Sequence, residues 1–164
     1  MSSLRRTIGA SLIAAAALVE PAGVLSAQRG GPPPAVRFQL SLSPTIITFA
    51  SSDPDILPVV DSAPVTISYR VRAYDGPWQV TVLASGDLNA GPATVDISNV
   101  SWVATPAPPF RNGTLSKTVA QVVASGSGTV NPAASGSLTF QLKNSWSYST
   151  GTYTQTLVFT LAAP

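Results

Sequence analysis

From Val65 the chain alternates for ten residues. Val65, Ile67, Tyr69, Val71 and Ala73 take one parity, and Thr66, Ser68, Arg70, Arg72 and Tyr74 take the other. A period of two is the repeat of a pleated strand with one buried face. The pattern recurs along the chain. Val36, Phe38, Leu40 and Leu42 alternate with Arg37, Gln39 and Ser41, and after Pro44 the run Thr45–Phe49 resumes in a neighbouring sheet. Trp78, Val80 and Val82 form the inner set of a strand over 78–83, with Pro77 at its first residue, where a missing N–H costs little. Leu138, Phe140 and Leu142 form another inner set. In the last strand Tyr153, Leu157, Phe159 and Leu161 face one way, against Thr152, Thr154, Thr156 and Thr160. Shorter strands are expected at Thr94–Ile97 and Val100–Ala104. Leu115–Ala124 reads as a strand with two competing inward sets, Leu115/Val119/Val123 and Ala120/Val122.

The intervening segments carry turn chemistry. S-S-D-P-D-I-L-P at 51–58, Ser85–Gly91, Thr105–Pro109, Ser125–Ser137 and Asn144–Gly151 read as loops, and Asp75-Gly76 as a two-residue hairpin turn. No stretch shows a helical period. The expectation is an all-β, immunoglobulin-like two-sheet sandwich of roughly seven to nine strands, with a closed barrel as the alternative. Its terminal strand should lie centrally in a sheet, beside the first. Burial of its four large side chains corresponds to ~6–12 kcal/mol of gross transfer energy.

The first residues follow a different pattern. Arg5 and Arg6 precede an apolar run, Ile8 to Val19, which breaks at Glu20-Pro21 and runs into Val24-Leu25-Ser26-Ala27. That is the layout of a secretory signal, with an apolar run of about 12 residues, too short to span a bilayer. Residues 1–27 are read as the signal, with a retained amphipathic helix as the alternative. Residues 28–35, Q-R-G-G-P-P-P-A, are read as a stiff linker and 36–164 as a single domain. Gln28 stands where a lipoprotein would need Cys, so no lipid anchor is expected there, and Arg5-Arg6-Thr7-Ile8 loosely matches a twin-arginine signal. The expected location is secreted or on the cell surface, with the periplasm also open.

After Ala27, seven basic residues stand against six acidic ones, and none of the basic residues cluster to track a nucleic-acid backbone. With no Cys, packing alone must hold the fold.

With no His or Cys, Ser-His and Cys-His pairs are excluded. Asp53 and Asp55 share one loop, so they are poorly placed to face each other across a cleft as a glycosidase pair. No catalytic residue, cofactor or metal site is assigned. Weak calcium candidates are Asp87 with Asn89, and Asp53, Asp55 and Asp61, although Asp and Asn also start turns. Trp78 and Trp102 read as core anchors. Trp146, Tyr148 and Tyr153 form either a ligand platform or a cap on the sandwich. Asn99 and Asn112 match the glycosylation pattern.

S-W-V-A at 101–104 and the segment from Leu138 to the closing G-T-Y-T-Q-T-L-V-F-T-L-A-A-P resemble secreted bacterial surface and pilin-like β-sandwich proteins that end in a G-x-Y-x-x-T-L-x-F-T-L strand. The chain is also similar, more weakly, to wall-associated WxL-type domains, from whose motif Trp78-Gln79-Val80 and Trp102-Val103-Ala104 depart. The resemblance covers Val36 to Pro164. It implies display, adhesion or fibre assembly, without catalysis. On this reading the segment of Val36, Phe38, Leu40 and Leu42 either pairs within its own domain or is lent to a neighbour. Partners would be a second copy or another surface protein, or a glycan or peptide for the binding-module alternative.

Overall fold

The computed structural model describes residues 35–164 and the backbone of residues 8–18. The chain runs through β1 (Ile8–Leu18), β2 (Arg37–Ser43), β3 (Ile46–Phe49), β4 (Val59–Asp61), β5 (Val65–Arg72), β6 (Pro77–Ala84), β7 (Leu88–Ala90) and β8 (Ala93–Val95). A single 3-10 turn, Ile97–Asn99, leads into β9 (Val100–Thr105), β10 (Gly113–Thr114), β11 (Gln121–Ser127), β12 (Val130–Lys143) and β13 (Gly151–Ala162). Two sheets result. One has the order β11-β6-β13-β1-β3, with the β7–β8 hairpin attached to β13. The other has the order β10-β9-β12-β5-β2, with β4 also on β12. This is an open two-sheet sandwich, antiparallel except for β1 against β13.

The alternating runs supply the core. On β5, Val65, Ile67, Tyr69 and Val71 are buried; on β6, Trp78, Val80 and Val82; on β12, Leu138, Phe140 and Leu142; on β13, Tyr153, Leu157, Phe159 and Leu161. The inward faces of the two sheets meet in one continuous cluster that also takes in Trp102, Phe110 and Leu115. β13 is central, between β6 and β1.

Several expectations change. Among the described residues thirteen strands form, more than the roughly seven to nine read from alternation, because five of them have only two to four residues. Asp75-Gly76 does not close a hairpin. β5 and β6 lie in different sheets, and Ala73, expected to continue the inward face, takes φ 53° and starts the crossover. The Ser85–Gly91 loop contains β7, and Ser125–Ser137 is mostly strand, turning at Gly128 with φ 74°. Leu115–Ala124 is not one strand. Leu115 and Val123 are buried but Val119 is 61% exposed, and a bulge between Val122 and Ala124 puts Val123 and Ala124 both inside. β13 does not pair with β2; its neighbour is β1.

Residues 8–18, read from sequence as the apolar run of an export signal, are extended here, not helical. The arginine pair, the cleavage region and the linker over 28–34 lie outside the described residues.

Candidate functional site

Asn144 organises one end of the sandwich. It is buried; its N–H donates to the Pro58 carbonyl at 2.8 Å, and its Nδ2 donates to the carbonyls of Ser52 and Leu57 at 3.0 and 3.1 Å. The 51–58 loop is thereby pinned to the end of β12. The turn after Asn144 is closed by its own serines, Ser147 N–H donating to Ser145 Oγ at 3.2 Å. Tyr153 reaches this turn from the core, its hydroxyl donating to the Ser149 carbonyl at 2.9 Å.

The three aromatic candidates therefore separate. Tyr153 is buried, Tyr148 is half-buried against the core, and Trp146 is 45% exposed. Burial pushes the Tyr148 hydroxyl above its ordinary pKa, with a smaller contribution from Tyr153. Trp146 shares its end of the molecule with exposed Ile56, Leu57 and Val59.

The aspartates do not converge. Asp53 Oδ1 accepts the Asp55 N–H at 2.9 Å, an Asx-type turn. Asp61 Oδ1 accepts from Gln141 Nε2 at 3.0 Å. Asp87 Oδ1 accepts the Ile97 N–H at 3.1 Å, while Oδ2 pairs with Lys117 Nζ at 2.5 Å. Asp96 caps the 3-10 turn by accepting the Ser98 N–H at 2.8 Å, and this bonding with Ser98 holds its carboxyl below the usual range. The hydrogen bond to Asp87 raises the Lys117 pKa. Asn89 lies on β7, opposite Thr154 and Thr94. Among the described residues, no three acidic or other metal-ligating side chains are grouped to hold an ion.

β2 is paired along its length with β5, from Arg37↔Arg72 to Ser43↔Thr66. Phe38 is buried and meets Tyr74 edge-on, with centroids 5.3 Å apart; Leu40 is half-buried, as is Leu42, and Val36 is exposed. An open groove of about 430 Å³ crosses β2 and β5 beside the β12 bulge, touching Gln39, Leu40, Ser68 and Arg70. Its only charged group, Arg70, is already bonded to Asn131.

The feature that sequence reading missed is a strand position. β1 enters the larger sheet between β13 and β3. It runs parallel to β13 through eleven register pairs, Ile8↔Gly151 to Leu18↔Leu161. It runs antiparallel to β3 through four, Ala10↔Phe49 to Ile13↔Ile46. The flanking residues Tyr153, Leu157, Phe159 and Leu161 of β13 and Ile47 and Phe49 of β3 are all inward and buried. Nothing in an apolar run with export-signal flanks marks it as a sheet partner, because continuous apolar segments carry no period.

Among the described residues, no helix is long and apolar enough to cross a membrane. No family model matches the chain, and no curated protein matches it.

Proposed function

We propose that this chain is a non-catalytic structural and interaction protein, secreted or displayed at the cell surface, that joins a fibre or surface layer by adding strands to its sheets. One observation carries this reading. A segment whose sequence has the pattern of an export signal is taken into the middle of a sheet, paired along its whole length with β13 and through Ala10–Ile13 with β3. A sheet position that accepts such a segment is a docking position of the β-augmentation kind. There the backbone supplies affinity and alternate side chains supply selectivity. The engagement of Asp53 in its own turn, of Asp61 with Gln141 and of Asp87 with Ile97 and Lys117 fits a scaffold rather than a reaction site.

Fractionation of cells expressing a C-terminally tagged chain, followed by cross-linking, tests it. The protein is expected outside the cytoplasm in a species heavier than one chain. Exported protein found wholly as a free monomer at its native level contradicts the reading.

A second reading has one observation in its favour: Trp146 presents an exposed ring beside half-buried Tyr148. A glycan or peptide module would use that pair, as exposed aromatics suit sugar faces. Trp146→Ala would then abolish glycan-array binding of the exported protein. Unchanged binding by the variant removes this alternative.

A further inference from the structure

The smaller sheet gathers arginines on its outer face. On β5, Arg70 and Arg72 alternate with buried Tyr69 and Val71, so both take the side away from the core. On β2, Arg37 precedes buried Phe38 and takes that side too. The register sets Arg37 directly opposite Arg72, and Gln39 opposite Arg70. Two residues along a strand advance it by about 7 Å, so the three arginines share one small patch. Arg37 is distant from the other two in sequence, and the β2–β5 pairing brings them together.

Among the described residues no carboxylate compensates this charge. The one ion pair there joins Lys117 to Asp87, so even Asp75, just past β5, does not neutralise Arg37, Arg70 or Arg72. Like charges directly opposite on neighbouring strands repel. Arg72 Nε is shut off from solvent and meets no acceptor among the described residues. Arg70 is held by a neutral group: its Nε donates to Asn131 Oδ1 at 3.1 Å, and its Nη2 donates to the same oxygen. That contact fixes the direction of the guanidinium but leaves its positive charge and its other N–H donors free.

The open groove of about 430 Å³ starts beside this patch and follows β2 and β5 past Gln39, Ser41 and Ser68. Its volume lies within the ~300–1,000 Å³ of small-ligand sites. Cations at one end and amide and hydroxyl groups along the rest suit a ligand that carries anionic groups among hydroxyls. β2 and β5 already use their facing N–H and C=O groups on each other, so a peptide laid across this face finds no ladder to join. We propose that the outer face of β2 and β5 binds an acidic polysaccharide. A carboxylate of the glycan bridges the forks of Arg37 and Arg72, which match its planar geometry, and neighbouring hydroxyls lie in the groove beyond Arg70. The site is separate from the sheet position of β1 and from Trp146, so it stands or falls apart from both readings above.

Calorimetric titration of the full chain with oligogalacturonate tests it, beside the fully methyl-esterified, uncharged form of the same glycan. The charged glycan is expected to bind, and the ester to bind at least tenfold more weakly. Added salt should weaken the first, because exposed charges are screened beyond ~10 Å at 0.1 M. Arg37→Gln, at an exposed position, should weaken binding about tenfold, the size of one lost charge-assisted contact. It should leave the thermal midpoint unchanged or higher, since it also removes the repulsion with Arg72. Arg111→Gln, whose guanidinium bonds Ser125 elsewhere on the molecule, should bind like the parent, as should Trp146→Ala.

Three results overturn the proposal: no binding of the oligogalacturonate, equal binding of its ester, or full affinity in Arg37→Gln. Tighter binding of an oligoglutamate of equal charge overturns it as well, by making this face a dock for acidic protein segments.

Discussion

Three aromatic rings in the core lie on glycines. Trp78 covers Gly126, its register partner on β11; Trp102 covers Gly113, its partner on β10; Phe110 covers Gly136. A Cβ at any of these positions would collide with the ring, so the glycine there serves close approach rather than backbone freedom. Gly126→Val is expected to cost about 1–3 kcal/mol, the usual range for overpacking. It should also shift tryptophan emission to the red as Trp78 moves toward solvent; a thermal melt and a fluorescence spectrum check both. The two buried tryptophans differ in their polar atom. Trp102 Nε1 donates to the Arg111 carbonyl at 2.8 Å, while the buried Trp78 Nε1 has no partner among the described residues. Trp102→Phe should therefore destabilise more than Trp78→Phe, because only the first leaves a carbonyl without its donor. Equal losses in chemical denaturation would contradict that assignment. The burial of both rings was legible from alternation. The glycines beneath them were not, since a glycine in a strand pattern carries no mark of which ring crosses it.

Among the elements, β13 carries the most. It pairs with β6, β7 and β1, and its four large inward residues are buried. Phe159→Ala should cost about 3–5 kcal/mol, the range for deleting a core aromatic. Phe38→Ala, on edge strand β2, should cost less, because its site opens to solvent and collapses more easily. Comparable losses in the two denaturation curves would mean that the smaller sheet depends on its edge as much as the larger depends on its centre. β2, β5, β6, the second half of β12 and β13 were visible in the sequence because a half-buried strand must alternate. Pairing was less visible. Asp75-Gly76 has hairpin composition, yet the chain crosses between sheets there, with the left-handed residue at Ala73. At β11 the bulge buries consecutive residues, which strict alternation cannot represent. β1 was hidden for a third reason: its apolar run carries no clear period of two, so it has the composition of an export signal as much as of a strand. The aromatic site was half legible. Proximity in sequence grouped Trp146, Tyr148 and Tyr153, but strand parity sends Tyr153 inward and leaves Trp146 outside.

As a whole molecule the protein has no His, so no side chain with an ordinary pKa changes charge between about pH 5 and 9. Stability should be nearly flat across that window. At the alkaline end, burial raises the Tyr69 and Tyr148 pKa values above the ordinary 10.0. A raised folded-state pKa means that burial favours the protonated form. The associated stability is complete below about pH 10 and is lost as pH rises through the folded values. Thermal melts from pH 5 to 11 should show a plateau and then a fall, and a steep slope near pH 6 to 7 would contradict this. The larger claim is the proposed one, that the chain works by strand addition at the position β1 occupies between β13 and β3. Along β13, alternate amides point toward β6 and toward that position. Residue-resolved hydrogen exchange on the exported, processed protein, with and without a peptide of residues 8–18, reads the two sets separately. The account predicts that without peptide every second amide between Leu157 and Leu161 exchanges rapidly while its neighbours, paired with β6, are slow, and that peptide makes both sets slow. Uniformly slow exchange in the processed monomer alone would contradict it.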